Sequence, residues 1–384
     1  MDIYETLTSD IKINMAFGYP GPEPFQHKKI SELSHKFINQ EGEAVLQYSP
    51  ATGLSYVKET VKNFLINKGI KINDEEELIL TPGGTSSIYY TFFSLLNNKD
   101  FIITESPTFV GALNTIRFIK ANILPIDIDI DGINVYALEE KLKQAIENRK
   151  KVKAIYLNPT AHNPTGVIMS DERRKHLIEI ANKYDLLIIE DDPYGFFVFD
   201  TDKRFTSLKT LDTEGRVIYM GTFSKILAPG LRLGYIVANK AITDAIESLI
   251  TMTAINPSTL SQFIAMYAIK EGVVDETIEN ARKVYRKKRD VLIEALEEYM
   301  PKGSEWYKPK GGLFAFVYLP KGVDTTEMLP TAINKGVAYV PGRNFFADGS
   351  GGNAMRINFS YPSIDKLREG IKIIGETAKE MMKH

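Results

Sequence analysis

The stretch richest in chemistry reads Gly221-Thr222-Phe223-Ser224-Lys225-Ile226-Leu227-Ala228-Pro229-Gly230-Leu231-Arg232-Leu233-Gly234. A lysine among small and hydroxyl-bearing neighbours differs from a surface lysine, whose neighbours are usually charged. The hydroxyls of Thr222 and Ser224 and the guanidinium of Arg232 can converge on one phosphate, because arginine matches phosphate oxygens in a bidentate fork. A solvated lysine and a structural arginine are the competing reading. A second segment, Thr81-Pro82-Gly83-Gly84-Thr85-Ser86-Ser87, follows an apolar run and opens a helical pattern. Glycines there let backbone N–H groups approach an anion, and the helix N-terminus adds partial positive charge. The segment matches neither G-x-G-x-x-G nor a Walker A sequence, which weakens dinucleotide and nucleoside-triphosphate readings.

Three further segments carry polar groups at strand ends. Glu190-Asp191-Asp192-Pro193-Tyr194 follows the apolar residues 186–189. Its carboxylates sit where a ligand would meet a parallel sheet, with a structural turn as the alternative. Asn158-Pro159-Thr160-Ala161-His162-Asn163-Pro164-Thr165-Gly166 contains two Asn-Pro pairs, which enforce a rigid non-helical loop because the residue before proline avoids the α region. Met355-Arg356-Ile357-Asn358-Phe359 sets an arginine within an apolar strand, where a buried guanidinium needs an anionic partner.

The elements that must hold these groups alternate. Short apolar runs at 78–80, 101–104, 123–126, 154–157, 186–190, 217–220 and 234–237 read as strands. Between most of them, 85–96, 109–120, 137–148 and 170–184 read as helices. Such alternation signals a mostly parallel sheet covered on both faces. A long charged helix over 275–299 breaks the pattern and ends before Pro301 and Gly303. Strands at 313–319, 337–340 and 355–359 and helices at 325–335 and 363–382 follow it, reading as a smaller α+β unit.

Composition narrows the class. The balance of 47 basic against 49 acidic residues gives a net charge of −2, which argues against a nucleic-acid or membrane-surface protein. With no cysteine there is no disulfide scaffold, thiolate metal site or cysteine nucleophile. The first fourteen residues lack a secretory pattern and no apolar run nears the ~20 residues of a membrane span, so a cytoplasmic protein is expected. The histidines His27, His35, His162, His176 and His384 have no metal-ligand spacing, and no metal is expected. Residues 282–289 read as a solvated helix face, and Arg343 as a solvated loop arginine.

Taken together, the five segments resemble the pyridoxal-phosphate-dependent aminotransferases of class I/II, which share the aspartate-aminotransferase fold. The likeness runs from about Phe17 to Phe359. Within that class the stretch 17–25, Gln47-Tyr48-Ser49-Pro50, Glu190-Asp191-Asp192-Pro193-Tyr194 and Val340-Pro341-Gly342 are most similar to the 2-aminoadipate, kynurenine and aromatic aminotransferase branch. The resemblance implies an α/β, PLP-dependent transferase-like fold. Its mostly parallel seven-stranded sheet carries helices on both faces, and a small α+β domain completes it. Residues 45–285 would form the large cofactor domain, with 1–44 and 286–384 forming the small one.

The same resemblance assigns roles. Lys225 would form the imine with the aldehyde of pyridoxal 5'-phosphate and serve as the base once substrate displaces it. Asp191 would pair with the pyridine nitrogen, while Tyr194 and Asn163 hydrogen-bond the ring hydroxyl oxygen. Phe109 would stack on the ring. Gly83, Gly84, Thr85, Thr222, Ser224 and Arg232 would cup the phosphate, with Tyr48 reaching it from a second subunit of a homodimer. Arg356 would bind the substrate α-carboxylate, helped by Gly18 and Asn163. The partners implied are an L-amino acid, aromatic or 2-aminoadipate-like or of broad range, and a 2-oxo acid such as 2-oxoglutarate.

The sequence also departs from the family. Gly84 stands where many relatives carry serine. Leu249-Ile250-Thr251-Met252-Thr253-Ala254-Ile255-Asn256 lacks the arginine with which aspartate specialists hold a second carboxylate, which counts against aspartate as the preferred donor. The same cofactor also supports a C–S β-lyase. A non-catalytic sensor like the effector domain of aminotransferase-like transcription regulators ranks lower, because the likeness begins by Phe17 and leaves no room for their DNA-binding helix-turn-helix.

Overall fold

A computed structural model describes residues 11–201 and 205–382. The expectations for the first ten residues and for His384 lie outside the described residues.

Fourteen strands fall into three sheets among the described residues. The large sheet contains β2 (Glu76–Thr81), β3 (Asp100–Ser106), β4 (Asn122–Asp129), β5 (Gly132–Ile133), β6 (Lys151–Leu157), β7 (Leu187–Asp191), β8 (Val217–Thr222) and β9 (Gly234–Asn239). Their order is β2-β9-β8-β7-β6-β3-β4-β5. The seven expected strands are all present, and the eighth, β5, is a two-residue hairpin partner of β4. It escapes a periodicity reading because two residues carry no period.

Alternation along the strands sends side chains to opposite faces. Leu78 and Leu80 pack in one core cluster and Ile79 in another, and Ile188 and Ile189 divide similarly. Helices Gly84–Leu95 and Lys240–Thr253 supply Ile88, Phe92, Ile246 and Ile250 to the Ile79 cluster. Helix Ser55–Asn67 supplies Val57, Val61 and Leu65 to the Leu78 cluster. Ser170 starts helix Asp171–Tyr184, its side chain accepting the Arg173 amide, with Asp171 and Glu172 in the first turn.

Strands β3, β4, β6, β7 and β8 run parallel, whereas β9 is antiparallel to both neighbours. That reversal brings the start of β9 to the edge where the parallel strands end. Gly234 pairs with Thr222 of β8 and Thr81 of β2, so the residues just before β9 meet the residues just after β2 and β8.

The second body contains β10 (Glu305–Trp306), β11 (Phe314–Tyr318), β13 (Val340–Pro341) and β14 (Ala354–Asn358) in an antiparallel sheet. β1 (Ile13–Asn14) pairs in parallel with β12 (Val337–Ala338). The single strand expected over 337–340 is therefore two strands in different sheets. Between them the buried Tyr339 hydroxyl donates to the Thr325 carbonyl at 2.6 Å.

The long helix is Val273–Tyr299, and part of its charged run corrects the solvated-face expectation. Lys288 is buried and donates to Glu23 and the Ser360 carbonyl, both at 2.6 Å. Buried Arg289 donates to the Pro309 carbonyl at 2.7 Å and to Asp200 at 3.0 Å. Helix period fixes which face these cations occupy, but only tertiary packing puts partners there. Arg343, by contrast, is half-exposed and pairs with Asp324 at 2.6 Å, as a loop arginine would.

Candidate active site

A cavity of about 520 Å³ opens at the carboxyl ends of the parallel strands, and residues from 16 to 356 line it. Lys225, Asp191, Tyr194, Asn163, Arg232 and Arg356 all reach it, as do Gly18, Gly84, Thr85, Phe109, Thr222 and Ser224.

Its floor is made by turns that the sheet order brings together. Gly83 has φ +93°, which glycine adopts at little cost. A Cβ there would lie 2.7 Å from Arg232 Nη2, and one on Gly84 would lie 3.3 Å from Thr222 Cβ. Helix Gly84–Leu95 starts at this point, so its unpaired amides border the same space. The Thr222 hydroxyl accepts from the Ser224 amide at 3.1 Å. Arg232 takes a left-handed conformation (φ +47°) that folds its guanidinium back to within 3.4 Å of Ser224 Oγ. Two hydroxyls, one guanidinium and a helix start thus form an anion cradle.

Lys225 lies on the one-turn helix Phe223–Ile226, and its Nζ donates to the Gly18 carbonyl at 2.8 Å. Burial, with the charges of Arg356 and Arg232, brings this amine down to about 8. Asp191 ends β7. Burial pushes its carboxyl up to about 7 against a hydrogen bond from Tyr156, with Asp192 and Glu105 adding to the rise. Burial likewise raises Tyr194 above the usual phenol range, opposed by Arg356 and by a hydrogen bond with Asn163.

Arg356, on β14, forms the far wall. Its guanidinium donates to Asn163 Oδ1 at 3.1 Å and to the Ala16 carbonyl at 2.7 Å. It lies 4.2 Å from the Phe314 ring centroid and 5.1 Å from that of Phe345. Aromatic faces are favourable neighbours for a cation. The cavity therefore presents two guanidiniums, Arg232 beside Ser224 and Arg356 beside Asn163, with the Lys225 amine and the Asp191 carboxyl also lining it.

Comparisons with known proteins give the family. The family profile "Aminotransferase class I and II" matches residues 11–374. The chain belongs to this family. The aromatic-amino-acid aminotransferase 1 of Thermococcus litoralis is 39% identical, the match covering 98% of this chain and 90% of that protein. The 2-aminoadipate transaminase of Thermus thermophilus is 30% identical over 96% of this chain and 91% of its own. Among solved structures, kynurenine aminotransferase from Pyrococcus horikoshii, in complex with PMP, superposes with a TM-score of 0.95 at 40% identity. That match covers all of this chain and 94% of the other. This aminotransferase is accordingly a pyridoxal-phosphate-dependent transaminase.

The residues present fit that cofactor. The anion cradle, which a Cβ at Gly83 would obstruct, suits its phosphate, Asp191 its ring nitrogen and the Lys225 amine its aldehyde. Two expected residues stand apart from the cavity wall. Tyr48 is 74% exposed, outside the cavity of its own chain. Gly83 lies behind Arg232 and shapes the cradle through that contact.

The sequence reading missed several groups. Asn158 holds the site's two loops together: its Oδ1 accepts the Asn163 amide at 2.7 Å and its Nδ2 donates to the Asp191 carbonyl. Arg174 is fully buried and braces the same loop through the Pro159 carbonyl (2.8 Å) and Thr160 (2.9 Å). Tyr156 donates to Asp191 Oδ2 at 2.7 Å. A polar aromatic inside an apolar strand was the available signal for Tyr156. Nothing in a helix pattern marks Arg174. Among the described residues no helix is long and apolar enough to cross a membrane.

Proposed function

We propose that this aminotransferase transfers the amino group of an aromatic, 2-aminoadipate-like or broader set of L-amino acids to a 2-oxo acid such as 2-oxoglutarate. The convergence of Lys225, Asp191 and Arg356 on one cavity carries the reading. Phe17, Tyr19, Ile88, Val110, Phe314 and Val340 around it favour an apolar or aromatic donor side chain.

Pyridoxal phosphate supplies an electron sink for the carbanion formed at the substrate Cα. Arg356 binds the substrate carboxylate, with Asn163 fixing the guanidinium. Lys225, whose amine would hold the cofactor aldehyde before substrate arrives, would take the Cα proton. Burial and the charges of Arg356 and Arg232 favour its neutral form, as a base requires. Asp191 would hold a proton at the ring nitrogen, and Tyr194 and Asn163 would hold the ring hydroxyl oxygen. Gly84, Thr85, Thr222, Ser224 and Arg232 would hold the phosphate, Gly83 would shape that cradle through its contact with Arg232, and Phe109 would cover the ring.

The functional unit in this reading is a homodimer in which exposed Tyr48 reaches the partner's phosphate site. Residues 45–285 form the large domain, and residues 1–44 with 286–384 form the small one. The pairing of β1 with β12 supports joining the two chain ends. The test is a half-reaction screen: each amino acid is added to the holoenzyme while the bound-cofactor absorbance is followed. Conversion to the pyridoxamine form with release of the 2-oxo acid supports the proposal. Release of pyruvate and ammonia without that conversion sinks it in favour of the β-lyase.

A further inference from the structure

Tyr156 lies wholly inside the protein, on β6, paired in register with Ile189 of β7. Residues two apart on a strand share a face, so Tyr156 shares a face with Asp191. Its hydroxyl reaches Asp191 Oδ2 at 2.7 Å. Phe92, from the helix that opens at the anion cradle, packs edge-on against the Tyr156 ring at 5.3 Å and 87°. Asn158 Nδ2 holds the Asp191 carbonyl. Asp191 is thus held at its backbone and at one carboxylate oxygen, while among the described residues no protein hydrogen bond reaches Oδ1.

We infer that Tyr156 is a positioning residue that acts through Asp191, fixing which oxygen faces the cofactor ring and supplying a permanent hydrogen-bond donor to the other.

The electrostatics give this contact a task. Burial and the carboxylates of Asp192 and Glu105 favour a neutral Asp191, and the Tyr194 phenol is close by. The Tyr156 hydrogen bond opposes them. Tyr156 cannot exchange roles with Asp191, because burial and the Asp191 charge hold its phenol far above the usual range, leaving it a permanent donor. Without that donor the carboxylate becomes more basic. The proton shared with the ring nitrogen then moves toward Asp191, and the ring loses electron-accepting power.

The inference rests on the proposed pairing of Asp191 with the ring nitrogen, and the experiment separates the two. Holoenzyme is reconstituted with pyridoxal phosphate labelled with 15N in the ring, and the resonance is recorded for wild type, Tyr156→Phe, Asp191→Asn and the double variant. In the wild type the signal is expected at the protonated position. Tyr156→Phe should move it toward the unprotonated position and slow the half-reaction about tenfold, equivalent to one pK unit, with KM unchanged. In the Asp191→Asn background the second substitution should do nothing further. A wild-type signal at the unprotonated position overturns the Asp191 pairing itself. A protonated wild type with an unmoved Tyr156→Phe signal, or an equal movement in both backgrounds, overturns only the role of Tyr156. Should Tyr156→Phe fail to fold, 3-fluorotyrosine at 156, a near-isosteric stronger donor, should keep the signal at the protonated position. Movement the other way overturns the inference.

Discussion

The side-chain oxygen of Asn163 accepts a hydrogen bond from Arg356 Nη1 at 3.1 Å, joining residues 193 positions apart. Asn163 comes from the loop after β6 and Arg356 from the small antiparallel sheet, so one contact ties the large sheet's side of the cavity to the small sheet's side. Truncating Arg356→Ala removes a charged hydrogen-bond donor worth about 1.5–3 kcal/mol. KM should rise roughly 10- to 100-fold for both the amino acid and the oxo acid, at nearly unchanged cofactor affinity. Steady-state kinetics with cofactor titration checks this, and a selective loss of cofactor would contradict it.

Lys225→Ala removes the only lysine lining the cavity among the described residues. General acid–base groups contribute roughly 10²- to 10⁴-fold, so single-turnover rates should fall by at least that range. Bound pyridoxal phosphate should absorb as the free aldehyde. Retention of the wild-type spectrum would refute the assignment.

The amine of Lys225 also sets a pH dependence. It lies near 8, lowered first by burial and then by Arg356 and Arg232, so below that pH it is the unreactive ammonium. Cofactor capture by the apoenzyme should accelerate about tenfold per pH unit up to about 8 and level off above it. Arg356→Gln removes a repelling charge and should move the inflection upward. Stopped-flow absorbance measures both.

Glu190 and Asp191 make an opposite, thermodynamic prediction for the apoenzyme. Burial raises each to about 7, with Asp192 adding to both. The folded state then binds more protons than the unfolded state between roughly pH 4 and 7, and stability falls as pH rises through that window. Asp191→Asn should remove part of the slope, leaving the Glu190 part. Thermal unfolding across pH reads it, and a slope unaltered by the substitution would count against the Asp191 contribution.

Gly83→Ala tests the cradle. The new Cβ would fall 2.7 Å from Arg232 Nη2, at a φ of +93° that costs a non-glycine residue about 1–3 kcal/mol. Displacing the guanidinium should weaken cofactor binding roughly tenfold or more while the far wall at Arg356 stays intact. Absorbance titration of the apoenzyme provides the number.

The cradle and the lysine were legible in the sequence because their residues are local. Thr222, Ser224, Lys225 and Arg232 fall within eleven positions, and Gly83 to Thr85 are consecutive. Their side chains meet because single turns put them together. What escaped the sequence depends on partners brought from elsewhere. Tyr156 shows only a hydroxyl inside an apolar strand, with no partner named, until β7 sets Asp191 beside it. Lys288 and Arg289 look solvated until Glu23, Ser360, Asp200 and Pro309 arrive around them. The split of residues 337–340 between two sheets turns on Tyr339 pointing inward, which alternation alone does not reveal.

The pairing of β1 with β12, together with the Arg356 bond to the Ala16 carbonyl, gives synthesis of the chain a built-in order. A ribosome releases the β2–β9 sheet, with Lys225 and the whole anion cradle, before β14 has been made. The cradle residues therefore precede Arg356 in the order of synthesis. β1 waits for its partner strand until β12 has been made. The wall at Ala16 is complete only once β14 supplies the Arg356 guanidinium to its carbonyl.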